Sequence, residues 1–273
     1  MSAPNTIVLI HGLWVTPRSW EHWIEHYERR GFRVLAPAYP GLEVEVEALN
    51  ADPAPIEELT VGAILEHLEG LVRSLEKPPI LIGHSAGGIF VQLLLDRGLG
   101  AAGVGINSAP TEGVRVVPLS QAKAAFPVLK NPANHHKAVP FTLSQWQYAF
   151  TTTFSDEETE ELYKRYHVPG PGRLVWDNVL ANIQPGRQAT WVNYKNDDRA
   201  PLLFIAGTDD TLMPASVQRS NAKHYKSATV TEVTEFAGPH LLPAQENWKE
   251  IADYALDWAL EQTSGTPEPA PAA

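Results

Sequence analysis

Four short stretches of this chain hold residues able to do chemistry together. Gly83-His84-Ser85-Ala86-Gly87 sets a serine between two glycines, just after the apolar run Ile80–Ile82. Glycines at those flanks let a strand and a helix approach so closely that a Cβ would clash, which lifts a serine hydroxyl above the strand end. The Ala86 amide and the new helix N-terminus then lie beneath it. A serine becomes a nucleophile only when a base takes its proton, and that base needs an acid to hold its tautomer. Downstream, Gly207-Thr208-Asp209-Asp210 and Gly238-Pro239-His240 supply both residue types. His11-Gly12 completes the set, because amides that follow a glycine at a strand end can donate to an oxyanion.

The rival residues are weighed by position. Downstream of the acid only His224 and His240 remain, and His224 falls inside a helical pattern whereas His240 sits in a Gly-Pro loop past a strand. His240 is therefore the base. Asp209 and Asp210 point in different directions, and the spacing to Pro214 favours Asp210 as the acid, leaving Asp209 to a turn or cap. His11 reads as a structural, hydrogen-bonded histidine. The Glu43, Glu45, Glu47 alternation reads as a solvated loop, and the adjacent His135 and His136 face different ways without a carboxylate pair, so no metal site is expected.

The elements that must position these residues follow from hydrophobic pattern. Thr6–Ile10, Phe32–Ala36, Ile80–Ile82, Ala102–Ile106 and Leu202–Ala206 are short apolar runs of the kind buried in a parallel sheet. Ala228–Phe236 alternates and is expected at an edge. Between them lie helical stripes: Trp20 to Tyr27 closed by Gly31, Val61 to Leu75, a helix from about Gly87, residues 215–225, and 245–261. Tyr39 to Pro55 reads as loop. From residue 111 to 199 the strand–helix rhythm breaks, and the segment is rich in prolines and aromatics with amphipathic pieces such as Asp156–Tyr166, capped by Ser155 and Glu158. An aromatic-rich insertion after a strand end is where an apolar pocket forms. Trp14, His84 and Trp146 are the candidates for substrate contact. Residues 263–273 read as a disordered tail.

Composition bounds the class. The chain has 273 residues, 44% hydrophobic and 19% charged, enough for one large core with an insertion. Its 21 basic and 32 acidic residues leave a net charge of −11, which disfavours nucleic acid and anionic membrane as partners. With no cysteine there is no disulfide, thiol nucleophile or thiolate metal site. The apolar run Ile7–Ile10 is too short for a membrane span or signal core, so the expected location is cytoplasmic. The expected partner is a small-molecule substrate, and a homodimer is the one assembly left open.

His11-Gly12, Gly83 to Gly87, Gly207 to Asp210 with Pro214, and Gly238 to His240 occur in an order that resembles the α/β-hydrolase superfamily from Thr6 to about Leu260. The resemblance implies a mostly parallel sheet of about six strands with helices on both faces. The core would be residues 1–110 and 200–262, with 111–199 as a helical cap. It implies Ser85, Asp210 and His240 as catalytic residues, and the Leu13 and Ala86 amides as the oxyanion hole. No metal or organic cofactor is needed.

Within the superfamily, Ser85 stands where epoxide hydrolases and haloalkane dehalogenases carry Asp. Leu241 and Gly12 stand where cyanohydrin lyases carry Lys and Thr, which resembles the related esterases. Ala36-Pro37-Ala38-Tyr39-Pro40-Gly41 departs from many members in lacking an Asp before Pro-Gly. The implied activity is hydrolysis of an ester or lactone of a small apolar or aromatic substrate through an acyl-enzyme. The alternatives are a C–C hydrolase or cofactor-free perhydrolase on the same residues, and a hydrolase-like binding receptor.

Overall fold

The computed structural model describes residues 4–264. Its centre is a six-stranded sheet whose spatial order is β2 (Arg33–Leu35), β1 (Thr6–Ile10), β3 (Ile80–His84), β4 (Ala102–Ile106), β7 (Leu202–Gly207) and β8 (Thr231–Phe236). Every pairing in it is parallel. The β-branched runs are strands because both faces are covered. Along β1, Val8 and Ile10 enter one core while Ile7 and Leu9 enter the other.

On the first face lie α3 (Val61–Arg73) and α4 (Ala86–Asp96), which contribute Ile64, Leu65, Val91 and Leu94. On the second lie α1 (Glu21–Arg29) and α10 (Trp248–Ser264), which contribute Trp23, Tyr27, Ile251 and Ala255. Gly31 closes α1 with φ 88°, a conformation that a glycine takes without strain. α9 (Ala215–His224) bridges β7 and β8.

Two expectations shift. The segment from Tyr39 to Pro55 is not all loop, since it holds α2 (Val46–Ala51). Val46 and Leu49 are fully buried there, and that packing supports a helix too short to stand on propensity. The block between β4 and β7 is also not wholly helical. It contains α5 (Leu119–Leu129), α6 (Leu143–Phe150), α7 (Asp156–Tyr166) and α8 (Gly172–Leu180). A two-stranded antiparallel ribbon of β5 (Ala138–Val139) and β6 (Gly170–Pro171) joins them. Capping boxes start α6 at Thr142 and Gln145 and α7 at Ser155 and Glu158. Residues 263–264 continue α10, and the rest of the expected tail lies outside the described residues. Among the described residues, no helix is long and apolar enough to cross a membrane.

The glycines around Ser85 are sterically forced. A Cβ on Gly83 would stand 2.3 Å from the Gly87 carbonyl oxygen, and one on Gly87 would stand 2.1 Å from that of Ile10. Both neighbours are backbone and cannot rotate away. Gly87→Ala is therefore expected to lower stability by about 1–3 kcal/mol or more. The reading is a lower urea midpoint at an unchanged slope.

Candidate active site

β3 delivers Ser85 to the carboxyl edge of the sheet, where parallel-sheet proteins gather their ligands. Its backbone is strained, with φ 56° and ψ −119°. Three hydrogen bonds hold that conformation. The Ser85 amide donates to the Ile106 carbonyl at 2.9 Å, and its own carbonyl accepts from the Gly88 and Ala109 amides at 3.0 and 2.9 Å. Strain of this kind persists where the surrounding contacts over-determine it.

The turn after β7 places Asp210, and the loop after β8 places His240. His240 Nδ1–H donates to Asp210 Oδ2 at 2.7 Å, and both side chains are wholly buried. The other carboxylate oxygen accepts from the Leu212 and Met213 amides at 2.8 and 2.7 Å. Those amides satisfy that oxygen and fix the carboxylate in place. His240 Nε2 is buried and makes no hydrogen bond among the described residues. Asp209 turns the other way, accepting from the Gly238 amide at 3.0 Å and tying the two loops together.

Two further histidines lie beside this pair, and neither is free to exchange protons. His11 is fully buried, with Nδ1–H donating to the Gly12 carbonyl at 2.8 Å, and burial depresses its pKa to about 4. His84 donates through Nε2–H to the His240 carbonyl at 2.8 Å, with its ring 4.8 Å from that of His240. Burial, reinforced by the charge His240 takes on when protonated, pushes the His84 pKa well down.

The oxyanion candidates flank the serine. A Cβ on Gly12 would stand 2.8 Å from Ser85 Cβ, so the loop carrying Leu13 is pressed onto Ser85. The Leu13 amide donates to no backbone carbonyl among the described residues, and Ala86, as the first residue of α4, has no intrahelical partner. Trp14 follows with φ 62°. Its indole N–H donates to the Val139 carbonyl at 2.9 Å, and its ring stacks on Phe141 at 4.4 Å.

A cavity of about 480 Å³ opens onto Leu13, Trp14, Ser85 and Ala86. Its remaining wall is overwhelmingly apolar, from Ile89, Phe90, Leu212 and Met213 in the core to Phe126, Leu129, Leu174 and Val175 on α5 and α8. Arg115 is its one charged residue. A site of this size and polarity suits a small apolar ligand.

Two of the residues expected to touch substrate stand behind the wall. Trp146 is fully buried and stacks on Phe150 at 4.1 Å, and Phe150 in turn meets the His240 ring edge-on at 4.9 Å. It is core, with its flat face taken up by Phe150. His84 is likewise taken up by the His240 carbonyl, so only Trp14 of the three reaches the cavity. Residues of α5 and α8 carry no motif, and only their placement across the sheet end marks them as walls. Asn107, whose amide joins the β7 end to the His240 loop, was also unmarked beyond its place at a strand end.

His135 and His136 are engaged by Asp177 and Glu58, each at 3.0 Å. Among the described residues no three His, Cys, Asp or Glu side chains converge as a metal cradle.

The parallel six-stranded sheet with a serine turn, acid turn and histidine loop at one edge defines an α/β-hydrolase fold. The family model described as "Alpha/beta hydrolase family" matches residues 7–254, and the chain belongs to that family. No curated protein matches the sequence at a significant level. Among solved structures the chain is similar to an extracellular α/β-hydrolase from a Paenibacillus species, with 20% identity, 94% of this chain and 99% of that one covered, and a TM-score of 0.69. It is similar to a pyrethroid hydrolase from Sphingobium faniae, with 19% identity, coverage of 93% and 97%, and a TM-score of 0.66. A monoacylglycerol lipase from Paleococcus ferrophilus aligns with 18% identity, coverage of 96% and 97%, and a TM-score of 0.63.

The buried histidines give the protein an acid limit. In the unfolded chain a histidine titrates near about 6.5. In the folded chain His11 and His167 are held to about 4, and His84 lies well below its usual value, in each case chiefly by burial. Between those limits the unfolded state binds more protons, so stability is fully present above pH 6.5 and falls as pH drops. The slope is up to about 1.4 kcal/mol per pH unit for each such histidine. Urea midpoints measured from pH 7 to pH 5 are expected to fall, and less steeply in His11→Asn. A flat profile contradicts the burial of these rings as neutral groups.

Proposed function

We propose that this chain is a serine hydrolase of apolar carboxylic esters. The observation that carries the reading is a strained serine opening onto an apolar cavity, with a buried histidine–aspartate pair at the same sheet edge. The names of the similar structures, a pyrethroid hydrolase and a monoacylglycerol lipase, support ester hydrolysis.

In this mechanism His240 Nε2 takes the proton from Ser85 Oγ as the oxygen attacks the ester carbonyl. Asp210 holds the Nδ1–H tautomer and stabilises the imidazolium. The unpartnered Nε2 is available for that proton, and apo sites commonly tighten their catalytic hydrogen bonds only when substrate arrives. The tetrahedral oxyanion is met by the Leu13 and Ala86 amides, near the positive end of α4. Collapse breaks the C–O bond, His240 protonates the leaving alkoxide, and the acyl group stays on Ser85. Water, deprotonated by His240, repeats the cycle and releases the acid. The neutral His11 and His84 leave His240 as the single proton carrier. Apolar walls favour uncharged acyl and alcohol parts, in ester or lactone form.

The test is intact mass after a phosphonylating serine reagent, together with turnover of an aryl ester series, for wild type and Ser85→Ala. Labelling of wild type alone is expected, with kcat lower by about 10³–10⁶ in the variant. Wild-type turnover by Ser85→Ala would overturn the reading.

A further inference from the structure

Among the described residues three that are not glycine have positive φ: Trp14 at 62°, Ser85 at 56° and Asn107 at 46°. They come just after β1, β3 and β4, which are neighbours in the sheet. Strain of this kind persists where surrounding contacts over-determine it, and it concentrates at functional sites. Ser85 is the nucleophile of the proposed reaction and Trp14 follows an oxyanion amide. Asn107, which joins the β7 end to the His240 loop, is the third.

Its side chain is fully buried, and both polar atoms are in use. Oδ1 accepts from the Gly207 amide at 2.6 Å, while Nδ2 donates to the Pro239 carbonyl at 3.1 Å and the His240 carbonyl at 2.9 Å. Gly207 ends β7, three residues before Asp210. One carboxamide thus spans the strand that carries the acid and the loop that carries the base. Asparagine suits the place, because it tolerates a left-handed backbone and offers a donor and an acceptor on one rigid plane.

The His240 carbonyl receives a second donor, His84 Nε2–H at 2.8 Å. Its two lone pairs are therefore filled from opposite partners, which fixes the peptide plane that follows His240. The ring itself has a hydrogen bond only at Nδ1, since Nε2 has none. Beyond the Asp210 bond and the packing of Phe150 and His84 against it, where the ring points depends on how its backbone is held.

We propose that Asn107 is a positioning residue for His240, with His84 as its second support; the proposal rests on His240 being the base for Ser85. A role confined to ending β4 needs neither a strained backbone nor an amide that reaches two other loops.

Two variants test it. Asn107→Gly keeps the positive φ without strain and removes donor and acceptor together. With circular dichroism unchanged, kcat is expected to fall by up to about 100-fold, as for a small misplacement of a reacting group. KM should stay within about twofold, and the rate of Ser85 phosphonylation should fall in step with kcat, since both need the same base. Asn107→Asp keeps the acceptor for the Gly207 amide, but its second oxygen, facing the Pro239 and His240 carbonyls, can donate to one of them, and only when protonated. Its kcat is expected to fall as pH rises through the titration of the new carboxyl, a limb that wild type lacks. A folded Asn107→Gly with wild-type kcat overturns the proposal. So does an Asn107→Asp whose pH profile matches wild type, and that variant decides alone if Asn107→Gly does not fold. Ser85→Ala, assayed alongside, separates the levels: its retaining activity sinks the serine reading itself, whereas an inactive Ser85→Ala beside a fully active Asn107→Gly sinks only the positioning role.

Discussion

Backbone pressed on backbone, where β3 turns into α4, is the constraint on which the rest of the site depends. Gly87 lies so near the carboxyl end of β1 that a Cβ would meet the Ile10 oxygen at 2.1 Å and the His11 oxygen at 2.8 Å. The same approach seats Gly12 against Ser85, so the amides of Leu13 and Ala86 flank one serine although they come from different loops. No side chain could bring them together as tightly, because any Cβ at these positions would hold the segments apart.

Burial then sorts the histidines. His11, His84 and His240 are all out of water, and an imidazolium there is costly unless it has a partner. His240 alone of the three reaches a carboxylate, and that carboxylate is itself satisfied by two amides. His84 is more useful as a neutral donor to the His240 carbonyl than as a second acid. The three rings are alike chemically and differ only in what surrounds them, and burial pushes the pKa values of His11 and His84 down.

The insertion between β4 and β7 is unevenly attached. Around the loop after β1 and around His240 it is bound closely. Trp14 bonds to Val139 and accepts from the Val168 amide at 3.0 Å, the Leu241 amide donates to Phe150 at 2.9 Å, and Asn50 donates to His167 at 2.8 Å. Over the cavity, α5 and the turn after α8 leave large apolar groups in water, with Phe126 61% and Ile183 74% exposed, and both line the cavity. The apolar wall therefore continues out to the surface, and the fully buried aromatics lie on the other side, against the histidine.

Much of this architecture is legible in the chain itself. Continuous β-branched runs mean strands covered on both faces, and Gly83, Ser85 and Gly87 encode a close turn by steric necessity alone. Asp210 is separable from Asp209 by spacing, because residues adjacent in a turn must face opposite ways. Trp146 and Phe126 were not separable. One lies in the core behind His240 and the other lines an open cavity, yet both are large aromatics on short amphipathic helices. Asn107 looks like any strand-end residue until Gly207 and His240, separated from it by 100 and 133 positions, are folded onto its amide. The sequence determined the strands, the serine turn and the residue types of the site, since those follow from local sterics and periodicity. Only the tertiary structure decided which aromatics wall the cavity and which carbonyls the Asn107 amide meets, since a helix face or a carboxamide has no preferred partner until distant segments meet it.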